Sequence, residues 1–245
     1  MNIIFSLTKR ELVNYFTTPI AYVFIVVFLL LSQAFTFYLG HFFGRNEADL
    51  MAFFSFIPWL YVVFIPAITM QSFAQEHKMG TTELLLTLPI ATYQVVIAKF
   101  IAAWVVSIVA LLLTIPLWIT VNYLGDPDNG VILAGYMGCL FVSGGFAAVG
   151  ICLSSLTSNQ VIAFVSSVLV CLLFLLCGLP LVLDIFQGFA PLWLLDTISQ
   201  FSFLTHFASL SKGLLDSRTL VYFVTFIGFW LYANTVILEY KKNAG

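Results

Sequence analysis

Long runs of apolar residues, separated by short polar stretches, dominate the pattern of this chain. A helix needs about 20 residues to cross roughly 30 Å of hydrocarbon, and six of the runs are long enough. They are Ile20–Gly40, Met51–Ser72, Tyr93–Tyr123, Val131–Ser154, Val161–Leu183 and Arg218–Leu238. The pattern predicts an all-α polytopic membrane protein, with six transmembrane helices in a single domain over residues 1–245.

The first 18 residues precede these runs and are partly amphipathic. On a helix, Phe5, Leu12 and Phe16 share one face, whereas Arg10 and Asn14 lie opposite. We interpret residues 1–18 as a helix that lies in the membrane interface before the first span. The alternative is a short cytoplasmic tail whose cations anchor the chain.

The stretch Gly188–Leu215 is apolar but interrupted by Asp196, His206 and Lys212. We expect a re-entrant segment of short helices at the outer side, because non-helical backbone at membrane depth must be buried in protein or line a wet cavity. The alternative, a seventh crossing, would put Lys241 and Lys242 on the outer side.

Charge fixes the expected orientation. Only 8% of the residues are charged, against about 25% in soluble domains. The net charge of −2 gives no electrostatic support for nucleic-acid binding.

Six spans with a cytoplasmic N-terminus place more cations inside than outside, as the positive-inside rule requires. The inner set is Lys9, Arg10, Lys78, Lys99, Lys241 and Lys242, and the outer set is Arg45, Lys212 and Arg218. Both termini are therefore expected in the cytoplasm.

Catalytic and metal-binding patterns are not found in the sequence. The four cysteines lie in apolar runs without a C-x-x-C spacing, and the three histidines form no H-E-x-x-H motif. There is no G-x-x-x-x-G-K-[ST] motif that could cradle nucleotide phosphates. We therefore expect a chain that is not an enzyme and holds no cofactor, so that any ATP and Mg²⁺ would bind a partner subunit.

The loop Gln75–Gln94 carries the most specific pattern. Gly80 breaks the preceding helix, Thr81 can cap a new one, Glu83 suits its first turn, and Pro89 ends it. Leucines between them give this short helix an apolar face outside the hydrocarbon, which is typical of a partner surface. The alternative is a helix tucked into the lipid headgroups.

The run E-H-K-M-G-T-T-E-L-L-L-T-L-P, from Glu76 to Pro89, resembles the signature of type 2 ABC exporter permeases. In that family the run forms a cytoplasmic coupling helix that binds the ATPase. The matching residues are Glu76, Lys78, Gly80, Thr81, Glu83, Leu84, Leu85 and Pro89. Thr18–Phe24, Phe53–Trp59 and Trp118–Gly130 are further similar to the GldF-type permeases, a subfamily named for bacterial gliding motility.

The resemblance implies a permease subunit in the bacterial inner membrane that couples ATP hydrolysis by separate ABC ATPase subunits to export. It implies a second membrane partner, either another copy or a GldG-like chain. The alternative is a mechanotransmitting complex that acts on an envelope protein without moving a substrate. A flux assay with the reconstituted complex separates the two.

The fourth span is rich in small residues, with Ser143–Ala147 and Gly144–Ala148 in small-xxx-small spacing. Such pairs let helices approach closely, so we expect either packing within the chain or a thin, mobile wall beside a translocation path. The polar turn Ser154–Gln160 follows this span. In the resembling family this turn is a second ATPase contact.

Overall fold

The computed structural model describes residues 3–45, 47–80, 90–179, 199–214 and 216–244, together with residues 182 and 184. Every regular element within these ranges is helical, which confirms the predicted all-α class. The α-helices are α1 (Ile3–Thr17), α2 (Pro19–Ala34), α3 (Met51–Thr69), α4 (Ala74–Met79), α5 (Thr92–Leu112), α6 (Ile115–Leu124), α7 (Asn129–Ser154), α8 (Gln160–Leu176), α9 (Phe203–Ser211) and α10 (Ser217–Ala244). A π-helical turn, Phe35–Leu39, extends α2.

Five stretches in the described ranges are long and apolar enough to cross a membrane, where the sequence predicts six. They are Pro19–Gly44, Met51–Met79, Thr92–Leu124, Asn129–Leu156 and Ser217–Lys242. The remaining predicted span, 161–183, overlaps α8, which has 17 residues and so a length of about 25 Å. The protein is thus a multi-pass membrane protein whose fifth predicted crossing is described only in part.

Helix α7 is the centre of the bundle and packs against α3, α5, α8, α9 and α10. Five of its glycines make this possible because each faces a side chain of a neighbouring helix. A Cβ atom at Gly138 would lie 3.0 Å from Phe207, one at Gly144 would lie 3.1 Å from Ile227, and one at Gly145 would lie 2.6 Å from Phe203. The structure therefore accounts for the small residues of this span by packing within the chain.

Helix α9 lies in the stretch predicted to be re-entrant, of which residues 188–198 and 215 fall outside the described residues. Its nine residues extend about 14 Å, which is too short to cross a bilayer. Phe203 at its start is fully buried and meets the rings of Phe146, Phe174, Tyr222, Phe223 and Phe226. These aromatic contacts hold α9 against α7, α8 and α10.

Candidate functional site

The candidate site lies where the second span breaks before the predicted coupling loop. Helix α3 ends at Thr69 and α4 begins at Ala74, with a turn between them. Such a break leaves backbone groups without helical partners, and those groups must be satisfied from elsewhere. Three other helices supply the partners here: the Tyr15 hydroxyl donates to the Ile68 carbonyl (3.3 Å), Lys99 Nζ donates to the Ser72 carbonyl (2.8 Å), and the Phe73 N–H donates to Ser154 Oγ (3.3 Å).

Lys99 is the centre of this arrangement. Its side chain is only 2% exposed and forms ion pairs with Glu76 Oε1 at 2.8 Å and Glu11 Oε2 at 3.2 Å. With the bond to Ser72, three oxygens surround an ammonium that has three donors. Its Nζ atom also lies 5.0 Å from the centre of the Phe73 ring. A buried lysine is stable only when it is paired and hydrogen-bonded in this way.

Glu11 is the second buried charge of the site. Its side chain is 9% exposed and also contacts Arg10 Nη2 at 2.7 Å. Burial raises the pKa of Glu11, but the charge of Lys99 and the hydrogen bonds from Arg10 and Lys99 outweigh it, so the pKa lies below the usual 4.5. Glu11 is therefore an anion at neutral pH, and in this form it pairs with Lys99.

The three charged residues Glu11, Glu76 and Lys99 belong to α1, α4 and α5, and we call them the lysine cluster. Helix α1 packs along α5. Leu12 and Phe16 pack against the core and Glu11 is buried, whereas Phe5 is exposed. The ion pair with Lys99 explains why a carboxylate lies on the packed face.

The predicted coupling residues have different environments. Glu76 joins the lysine cluster, whereas Lys78, two residues later in α4, is exposed. Gly80 ends α4 with a φ of +69°, a left-handed conformation that glycine adopts without steric cost. Thr81, Glu83, Leu84, Leu85 and Pro89 lie outside the described residues. The described chain resumes at Ile90, and α5 begins at Thr92.

Sequence reasoning placed Lys99 only as a cytoplasmic cation and did not connect it with Glu11 or Glu76. The available signal was a lysine seven residues into an apolar run, because an ionisable residue inside a span normally has a buried partner. Four glutamates lie on the same predicted side of the membrane: Glu11, Glu76, Glu83 and Glu239. Pattern alone could not choose among them, and the structure shows that Glu11 and Glu76 bind Lys99.

The described part of α10 reaches the same end of the bundle. Lys241 Nζ donates to the carbonyl oxygen of Ser155 at 2.7 Å, directly after Ser154, which contacts Phe73 of the α3–α4 break. Helix α1 and the end of α10 therefore lie at the same end of the bundle. Among the described residues, no three His, Cys, Asp or Glu side chains form a group that could hold a metal ion.

Comparison with known families identifies the architecture around this site. The family model described as ABC-2 family transporter protein matches residues 41–237, which include Glu76 and Lys99. The chain belongs to the ABC-2 transporter family. No individual curated protein matches it. Members of this family are the membrane components of ABC transporters, so the ABC-2 chain is a permease subunit that associates with an ATPase.

Proposed function

We propose that the chain is the permease of a GldF-type ABC exporter and that Gly80–Pro89 is its coupling helix. The observation that carries this proposal is the position of the lysine cluster. Helix α4 ends where the segment begins, α5 starts three residues after the segment ends, and Glu76 and Lys99 join these two helices by a buried ion pair. A displacement of the segment is thereby delivered to α4 and α5 together, and through Glu11 to α1.

The ATPase binds ATP and Mg²⁺ and engages Gly80–Pro89 from the cytoplasm of a bacterial cell, at the end of the bundle that holds both termini. Leu84 and Leu85 supply apolar area, since burying one leucine contributes about 1.5–3 kcal/mol. Glu83 stabilises the helix start and pairs with a cation of the ATPase. ATP binding then biases the spans because the ATP-bound state favours one permease conformation over the other. The second permease subunit is another copy or a GldG-like chain.

The docking step is tested by pull-down of the partner ATPase on the detergent-solubilised permease. Leu85→Asp puts an unpaired charge into an apolar contact, so the variant loses the ATPase while its own yield is unchanged. The matched control is Leu214→Asp, the same substitution at an exposed leucine just before the start of α10. Full ATPase binding by Leu85→Asp, or equal loss in both variants, would show that this segment is not the docking element.

A further inference from the structure

Two side chains from different helices converge on one backbone oxygen at the end of α7. His77 of α4 places Nε2 at 3.1 Å from the Ser155 carbonyl oxygen, and Lys241 of α10 places Nζ at 2.7 Å from the same atom. The last carbonyls of a helix have no donor within the helix, and the partial negative charge there favours a cation. Ser155 itself is fully buried.

The bond from His77 fixes a different face of α4 from the face that the lysine cluster fixes. His77 follows Glu76 directly, and neighbouring residues of a helix point about 100° apart. Glu76 therefore joins α4 to α5 and, through Lys99, to α1. His77 joins α4 to the end of α7 and, through the Ser155 oxygen that Lys241 also contacts, to α10. The Phe73–Ser154 bond fixes the other end of α4 to the same turn.

We propose that the Ser155 carbonyl is a joint that makes α4, the α7–α8 turn and the end of α10 move as one body. His77 and Lys241 are positioning residues, and the joint passes the displacement of the coupling segment to the last span. This inference rests on the proposed function, because the joint has a displacement to pass on only if the coupling segment binds an ATPase. It assigns the C-terminal end of α10 to the transmission path.

The joint itself is tested on the permease alone, by the distance between spin labels at Met79 and Tyr232. Both side chains are exposed, and Cys177 is replaced by Ser because the other three cysteines are buried. Lys241→Met removes the donor that α10 contributes and keeps a side chain of similar length. We expect a narrow distance distribution in the wild type and a broad one in Lys241→Met. Lys241→Arg restores the narrow distribution, and Lys242→Met, at the adjacent exposed lysine, leaves it unchanged. An equally narrow distribution in Lys241→Met would overturn the proposal.

The positioning role is tested with the ATPase bound. A hydrogen bond to a charged group is worth about tenfold or more in an equilibrium, so the permease-dependent part of ATP turnover should fall about tenfold in Lys241→Met, with ATPase binding retained and activity rescued by Lys241→Arg. A broadened distribution with wild-type turnover would make the joint merely structural and refute the transmission role. If the wild-type permease leaves ATP turnover unchanged, the proposed function fails, and the distance distribution still decides whether the joint exists.

Discussion

Replacement of Lys99 by Met removes the cation of the lysine cluster and keeps the length of the side chain. Two carboxylates then face each other in a site where Glu11 is 9% and Glu76 is 19% exposed. Removing one partner of a buried ion pair costs about 3–5 kcal/mol. Because Glu11 keeps Arg10 and Glu76 keeps some exposure, we expect the lower end, about 3 kcal/mol.

Thermal unfolding of the detergent-solubilised permease measures this cost. A thiol-reactive dye reports unfolding because Cys139, Cys152 and Cys171 are buried in the folded protein. For a chain of this size, about 3 kcal/mol corresponds to a fall in Tm of roughly 6–12 °C. Lys78→Met, at an exposed lysine of α4, is the matched control and should leave the Tm unchanged.

The origin of the effect is tested by adding Glu11→Gln and Glu76→Gln to Lys99→Met. A fully neutral cluster has no uncompensated charge, so most of the lost stability should return. A Lys99→Met protein that unfolds at the wild-type temperature would refute the reasoning. A triple variant no more stable than the single one would show that the loss comes from packing and not from charge.

Three further predictions concern packing, pH and topology. Gly145→Leu overlaps the Phe203 ring and should destabilise the protein by about 1–3 kcal/mol, whereas Gly228→Leu, which meets nothing within 4 Å, should not lower the Tm. The depressed pKa of Glu11 stabilises the fold above pH 4.5 and this contribution is lost as the pH falls through the lower folded-state value, so the Tm difference between wild type and Glu11→Gln should shrink in acid. A cysteine at exposed Tyr123 should react with an impermeant reagent in intact cells, whereas one at Lys78 should react only after permeabilisation; the opposite result would invert the topology.

The apolar pattern predicted most of the helices because membrane spans need long apolar runs. It also predicted the break at Gly80, since glycine acts through the local backbone. It gave no indication that Glu11 of α1 is buried. A hydrophobic pattern assigns every charge to water, and only the tertiary position of Lys99 reverses that assignment.

The contacts of the site could not be read from the sequence for a related reason. The partners in the lysine cluster are 88 and 23 residues from Lys99 along the chain, and His77 reaches a carbonyl 78 residues away. The acceptor in that case is a backbone carbonyl oxygen. Every residue has one, so the sequence does not distinguish Ser155 as the partner. Family resemblance placed Glu76 among the residues that couple to the ATPase, and the structure shows that its side chain forms an ion pair with Lys99.

We propose that Gly80–Pro89 transmits the ATPase cycle to the membrane bundle. The most direct test is ATP turnover by the reconstituted complex of this permease with its ATPase, compared among wild type, Glu83→Ala and Leu85→Asp. We expect that Glu83→Ala keeps the ATPase bound but loses much of the permease-dependent turnover, and that Leu85→Asp loses both. Wild-type turnover with the ATPase still bound in Leu85→Asp would contradict it.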